Sequence, residues 1–180
     1  MTDGISREII DNEDIDPEFV DRIVEAGADR LRTCIQCGTC SSVCPSGKRT
    51  AFRTREVIRK ALLGLKDEVL ASEDLWLCST CYTCLERCPR QIKVTDAILI
   101  MRNMAVDHGF MLSPHRKTSQ KLLSTGHAVP IDDANRKIRK ELGLDEVPPT
   151  THSDEKALND VKEIMRRTGF QKLIEGQEGK

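Results

Sequence analysis

The chain has 180 residues, enough for one compact domain with extensions at its ends. Apolar residues make up 38% of the sequence and aromatic residues only 3%, so we expect a small core built mainly from aliphatic side chains. The 28 basic residues are balanced by 29 acidic ones, which excludes the strong positive charge that would indicate nucleic acid or an anionic membrane as a partner.

The first predicted element is an N-terminal arm, residues 1–28. It begins with the acidic stretch MTDGISREIIDNEDID, which lacks the basic and then apolar order of a signal peptide. Asp16 and Pro17 then predict the start of a helix that is apolar on one side and ends at the first cysteine. The longest strongly apolar run of the chain, Ala97–Met101, is too short to cross a bilayer. We therefore expect a cytoplasmic protein, in which metal or redox chemistry explains eight cysteines better than disulfides do.

The cysteines form two copies of one pattern, C-x2-C-x2-C-x3-C-P. The first copy reads CIQCGTCSSVCP and starts at Cys34, and the second reads CSTCYTCLERCP and starts at Cys78, 44 residues later. Such a repeat indicates an internal duplication. The insert between the copies, TAFRTREVIRKALLGLKDEVLASEDLWL, has apolar residues near the helical period and predicts a helix.

Each copy has the ligands that a [4Fe–4S] cluster needs, because a cubane binds four thiolates, one at each iron. In two-cluster ferredoxins the fourth cysteine of such a motif binds the other cluster. The sequence therefore predicts two interlocked [4Fe–4S] clusters, the first held by Cys34, Cys37, Cys40 and Cys88 and the second by Cys78, Cys81, Cys84 and Cys44. The proline after each fourth cysteine predicts that a helix begins at Pro45 and again at Pro89, with its positive dipole end towards a cluster.

The alternative for these cysteines is a pair of structural zinc sites with four cysteines each, in a scaffold protein without redox activity. Zinc modules usually place two C-x2-C pairs at the ends of a long loop, and neither copy has that spacing, so clusters are favoured. All eight cysteines are then ligands, and no nucleophile elbow, Walker loop or dinucleotide fingerprint occurs in the sequence. We therefore predict a protein with no catalytic residues of its own, whose chemistry takes place on another polypeptide.

After the second copy the sequence pattern is again helical. Helices are predicted over four segments: 95–109, 113–126, 132–142 and 153–169. The predicted fold class is therefore mainly α. It consists of an alpha-helical ferredoxin-like domain over residues 29–126, the N-terminal arm, and a C-terminal helical arm over residues 127–180 that could dock a partner.

The two motifs and their surroundings resemble the C subunit of the heterodisulfide reductase of methanogenic archaea. The likeness is carried by the stretch AFRTREVIRKALLGL and by DLWLCSTCYTCLERCPRQIKVTDAILIMRNMAVDHG, which contains the second motif. It is closest from Asp29 to about Gly126 and looser towards the C-terminus. The bare cysteine motif also occurs in other helical ferredoxin-type proteins, including the iron–sulfur subunits of succinate dehydrogenase and glycolate oxidase.

The resemblance implies an iron–sulfur electron-transfer subunit of a soluble oxidoreductase complex. In that family, electrons pass from the flavin-carrying A subunit through the C subunit to the catalytic B subunit, which reduces the heterodisulfide of coenzyme M and coenzyme B in methanogenesis. The larger assembly includes a hydrogenase or a formate dehydrogenase and uses flavin-based electron bifurcation. An iron–sulfur relay in a related quinone-linked or sulfur-metabolising complex is the alternative within the same class.

Overall fold

The computed structural model describes residues 11–175, and all regular secondary structure within that range is helical. The predicted mainly α class is therefore confirmed. The chain divides into two compact units, one up to Phe110 and one from Met111 onwards. None of the helices in residues 11–175 combines the length and the apolar character that a bilayer-spanning segment requires. Residues 1–10, the acidic start of the predicted N-terminal arm, lie outside the described residues.

The first unit is built around its longest helix, α6. Its α-helices are α1 (Phe19–Glu25), α2 (Thr39–Ser42), α3 (Thr54–Leu62), α4 (Lys66–Ala71), α5 (Thr83–Glu86) and α6 (Val94–Asp107). Short 3-10 turns, Leu31–Thr33 and Glu73–Leu77, lead into the two cysteine motifs. Helix α6 packs against α1, α4 and α5. The core is mostly aliphatic, as the composition predicts, with Phe19 and Phe52 as fully buried aromatic residues.

The two halves of the first unit repeat the same order of elements. In each half a 3-10 turn precedes the cysteine loop, a one-turn helix (α2 or α5) carries the third cysteine, and a longer helix (α3 or α6) follows. Helices α2 and α5 pack against each other, while α3 packs against α2 and α6 packs against α5. The duplication in the sequence is therefore also present in the fold, and the two copies meet at α2 and α5.

The helices expected at Pro45 and Pro89 are not formed, and that prediction is wrong. Turns follow both prolines, and α3 and α6 begin only several residues later. After Pro89 the reason is Gln91, whose positive φ of 54° interrupts a right-handed helix. N–H groups near both prolines donate to sulfur. The N–H groups of Gly47 and Ile92 donate to the sulfur of the fourth cysteine in their own copies, at N···S distances of 3.3 and 3.4 Å. Individual backbone donors therefore replace the expected helix dipoles at these cysteines.

Two other predicted helices are shorter than expected. Helix α1 ends at Glu25 instead of at the first cysteine, because Gly27 and Arg30 have positive φ angles of 123° and 67°. The insert helix is divided into α3 and α4 at Gly64, whose φ is 77°. A Cβ atom at Gly64 would lie 2.6 Å from the carbonyl oxygen of Asp16, so only glycine fits this turn.

The second unit contains the remaining helices, α7 (Ser113–Thr125), α8 (Asp133–Glu141), α9 (Glu155–Arg167) and α10 (Phe170–Glu175). The first three confirm predicted helices, although α9 is capped by the carboxylate of Asp154 rather than by Ser153. Helix α10 is not predicted by the sequence, because the last predicted helix ends at Gly169. Helix α7 packs against α9 and α10 and so lies in the second unit, whereas the predicted ferredoxin-like domain of residues 29–126 includes it.

We predict that Phe19→Ala destabilises the first unit by about 3–5 kcal/mol, because it empties a fully buried position in the core. Leu63→Ala is the matched control: Leu63 is 43% exposed in the same unit, so its truncation should cost about 1 kcal/mol or less. Melting of the anaerobic holo-protein, followed by circular dichroism, measures both changes. Equal losses in melting temperature would contradict the place of Phe19 in the core.

Candidate metal centres

One group of cysteines lines a pocket of the first unit. Three of its members come from the first motif and one from the second: Cys34, Cys37, Cys40 and Cys88. The empty space of this pocket is about 400 Å³, including a part that is open to solvent. Its walls are largely apolar and include Ile58, Ile92 and Val94. The structure thus brings the thiols of the first predicted ligand set to one pocket.

The other cysteines also lie near one another. Cys44 and Cys81 lie close enough to the Cys78 thiol to interact with it electrostatically, and Cys78 and Cys81 likewise lie near the Cys84 thiol. Cys44 is therefore close to the second motif, although it belongs to the first. The two groups are adjacent, because Cys40 on α2 and Cys84 on α5 also interact electrostatically. The proximity of the third cysteines of the two motifs is not among the predictions made from the sequence.

Both cysteine loops have the same unusual backbone. Gln36 and Gly38 in the first loop have positive φ angles of 56° and 84°, and the equivalent Thr80 and Tyr82 in the second loop have angles of 52° and 62°. Positive φ costs a residue with a side chain about 1–3 kcal/mol. The same costly conformation at equivalent positions indicates a shared purpose, and a tightly curled loop is what allows three thiols to face one pocket.

Hydroxyl groups lie next to several sulfur atoms. Thr39 and Thr83 occupy equivalent positions, and the hydroxyl of each is 3.4 Å from the sulfur of the second cysteine in its motif. Thr95 is buried, and its hydroxyl lies 3.3 Å from the sulfur of Cys84. A thiolate accepts hydrogen bonds from such groups, and these bonds tune an iron–sulfur cluster. None of the three threonines is among the predicted site residues, although the recurrence of threonine two residues after the second cysteine is a detectable signal.

The acidity of the thiols varies with their surroundings. Hydrogen bonding with the side chains of Thr39 and Thr83 lowers the pKa of the exposed Cys37 and Cys81 thiols. Burial raises the pKa of the Cys40 thiol to about 11, and it also raises the pKa of Cys78 and Cys84. The shielded thiols therefore need a bound cation, such as ligated iron, to become thiolates at neutral pH.

The donor set fits a [4Fe–4S] cluster. Four thiols, apolar walls and hydrogen-bond donors aimed at sulfur suit an iron cluster bound by thiolates. Among residues 11–175, no three His, Cys, Asp or Glu side chains converge closely enough to hold one metal ion.

Comparison with known proteins first defines the class. Residues 30–92 match the family described as 4Fe-4S dicluster domain. This segment contains all eight cysteines of the chain. The protein is therefore a two-cluster iron–sulfur protein, and the predicted cofactors, two [4Fe–4S] clusters, are confirmed.

Curated relatives then define the particular family. The chain is 49% identical to the C subunit of the H(2):CoB-CoM heterodisulfide,ferredoxin reductase of Methanothermobacter marburgensis, over 92% of this chain and 90% of the relative. It is 47% identical to the iron-sulfur C subunit of the CoB–CoM heterodisulfide reductase of Methanopyrus kandleri, over 92% and 91%. It is 46% identical to the C subunit of the ferredoxin/F(420)H(2)-dependent CoB-CoM heterodisulfide reductase of Methanosarcina acetivorans, over 85% and 94%. The chain belongs to the family of heterodisulfide reductase C subunits, so it is the iron–sulfur component of an oxidoreductase, as the resemblance implied.

We predict that Thr95→Val weakens cluster binding at the second motif. Valine keeps the shape of threonine but removes the hydroxyl from the sulfur of Cys84, whose thiol pKa is already raised by burial. A hydrogen bond to a charged group contributes about 1.5–3 kcal/mol. Without it the pKa of Cys84 rises further, so protons should displace iron at a higher pH than in the wild type.

Loss of visible absorbance during stepwise acidification measures this iron release. Thr95→Ser keeps the hydroxyl and is the control. If the valine and serine variants lose iron at the same pH, the hydroxyl of Thr95 does not act on Cys84.

Proposed function

We propose that this chain relays electrons within a CoB–CoM heterodisulfide reductase complex, from the flavin-carrying A subunit to the catalytic B subunit. The observation that carries the proposal is the placement of all eight cysteines in two adjacent thiol groups. With every cysteine used as a ligand, none is left for bond chemistry, and the heterodisulfide of coenzyme M and coenzyme B reacts on another polypeptide. When bound, the clusters supply one-electron storage, while the chain positions the thiols and limits the access of water.

The ligand sets that we propose are those predicted from the sequence. The first cluster is assigned to Cys34, Cys37, Cys40 and Cys88, and the second to Cys78, Cys81, Cys84 and Cys44. The shared pocket supports the first set, and the electrostatic coupling between Cys44 and Cys78 supports the second. In both sets the fourth thiol comes from the other motif, so two clusters tie the halves of the first unit together.

The exposure of the thiols supports transfer between the two groups. Cys37 in the first group and Cys81 in the second are exposed, whereas Cys40 and Cys84 are more shielded and lie near each other. Each group thus has an outer thiol at the surface and an inner thiol towards the other group. This order suits a relay that receives an electron from one partner and passes it to a second.

The partners are inferred from the relatives, whose names describe them as subunits of heterodisulfide reductases. We infer the A and B subunits of heterodisulfide reductase as neighbours, with a hydrogenase or a formate dehydrogenase as the source of electrons, in the cytoplasm. Residues 127–180 are assigned to docking. Apolar side chains of this segment support that role, because Ile138, Leu142 and Leu144 are 53%, 70% and 51% exposed.

Iron analysis and reoxidation kinetics test the relay. We predict about eight iron and about eight sulfide per chain, with a broad brown absorbance that bleaches on reduction. The reduced protein should be reoxidised rapidly by heterodisulfide together with the catalytic B subunit, and only slowly by heterodisulfide alone. Zinc in place of iron, or turnover of the heterodisulfide by the isolated chain, would contradict the proposal.

The crossed ligand sets predict a specific pattern of iron loss. Cys88→Ala should remove about half of the iron, because one cubane loses a ligand. Adding Cys34→Ala should remove little more, since both residues belong to the first set. Adding Cys78→Ala instead should remove nearly all the iron. The reverse pattern in the two double variants would show that each motif binds its own cluster.

A further inference from the structure

One arginine contacts the backbone that leads into the second cysteine motif. Arg102 on α6 donates from Nε to the carbonyl oxygen of Leu75 at 2.8 Å and from a terminal nitrogen to the carbonyl oxygen of Cys78 at 2.6 Å. Its guanidinium also lies over the ring of Trp76, 5.6 Å from the ring centroid. Arg102 therefore holds this backbone segment and brings a positive charge to Cys78.

We infer that Arg102 raises the reduction potential of the cluster held by the second cysteine loop, and so makes the two cluster sites unequal as electron acceptors. The inference rests on the proposed ligand sets, in which Cys78 binds the second cluster. Reduction adds a negative charge to a cluster. A fixed positive charge nearby therefore stabilises the reduced state more than the oxidised state.

Arg102 keeps its charge although it is partly buried. Burial lowers its pKa, but the guanidinium of an arginine stays protonated in proteins. The Cys78 thiol lies close enough to Arg102 to interact with it electrostatically. Several other arginines within residues 11–175 form ion pairs with carboxylates, but Arg102 is not among them.

The equivalent position in the first copy is apolar. Arg102 is the ninth residue of α6, and the ninth residue of α3 is Leu62, which packs against the core. Two arginines, Arg55 and Arg90, do line the pocket of the first site, but both are exposed. Water and salt screen exposed charges more strongly than partly buried ones. The second site is therefore the one that is reduced first.

Redox titrations of the anaerobic full-length protein, followed by electron paramagnetic resonance, test this inference. Arg102→Met should lower one of the two midpoint potentials and leave the other in place. At a fixed potential, the reduced-to-oxidised ratio of the affected cluster should fall about tenfold, which is about 59 mV for a one-electron couple. Arg102→Lys keeps the positive charge and should leave the reduced-to-oxidised ratio of the affected cluster within about twofold of the wild type. Arg55→Met removes an exposed charge at the first site and should also leave that ratio within about twofold.

The iron content of the variants distinguishes an effect of the Arg102 charge from an effect of its hydrogen bonds to the backbone. If Arg102→Met retains its iron and both midpoints stay unchanged, the inference is overturned while the proposed relay stands. If Arg102→Met loses iron but Arg102→Lys retains it with unshifted midpoints, the role of the charge is supported. Loss of iron in both variants, or a lowered midpoint in the lysine variant, would overturn it and leave Arg102 as a structural clamp. A wild-type protein without iron would instead overturn the proposed function.

Discussion

The contact between α2 and α5 is the interaction on which the rest of the first unit depends. It places Cys40 beside Cys84, so that thiols of the two copies meet in the interior. Helices α1 and α4 each pack against both α3 and α6 and so connect the longer helices of the two copies. The hydrophobic core that holds these helices together is small and mostly aliphatic. Metal binding couples to folding, and ligation of the shielded thiols contributes stability that such a core supplies only in part.

The two copies share their chemistry but differ in what surrounds it. Both loops use the same backbone conformations and the same threonine next to the second cysteine. The differences lie outside the ligands: Arg102 occupies the position on α6 that Leu62 has on α3. A duplicated site provides two similar centres, and a directional relay needs them to differ. The side chains around the ligands, such as Arg102 and Leu62, can give the two clusters different properties while the cysteine ligands stay the same.

The sequence predicted the cofactor because the cysteine motif determines both the chemistry and the spacing of the thiols, and it predicted the helical class because apolar residues recur at the helical period along most of the chain. It predicted α7 and α8 well, since the cap residue Asp132 and the glycine at Gly126 are local signals. It failed at Pro89, because the preference of proline for a first helical turn is a local tendency, whereas the positive φ of Gln91 that interrupts a helix there belongs to the folded loop.

Arg102 could not be found from the sequence for a related reason. An arginine on an amphipathic helix normally indicates a solvated position. Its two carbonyl acceptors lie 27 and 24 residues away in the chain, and only the folded unit brings them within reach. The packing of α7 with the second unit was equally hidden, since its partners α9 and α10 follow after a long connection.

Two clusters should together occupy every cysteine, and native mass spectrometry of the anaerobic holo-protein after maleimide labelling tests this most directly. We predict the mass of the unlabelled chain plus two Fe4S4 units, with labelling of all eight cysteines only after the iron has been removed. A folded holo-protein that already carries a label, or an added mass that corresponds to zinc, would contradict the assignment of every thiol to a cluster.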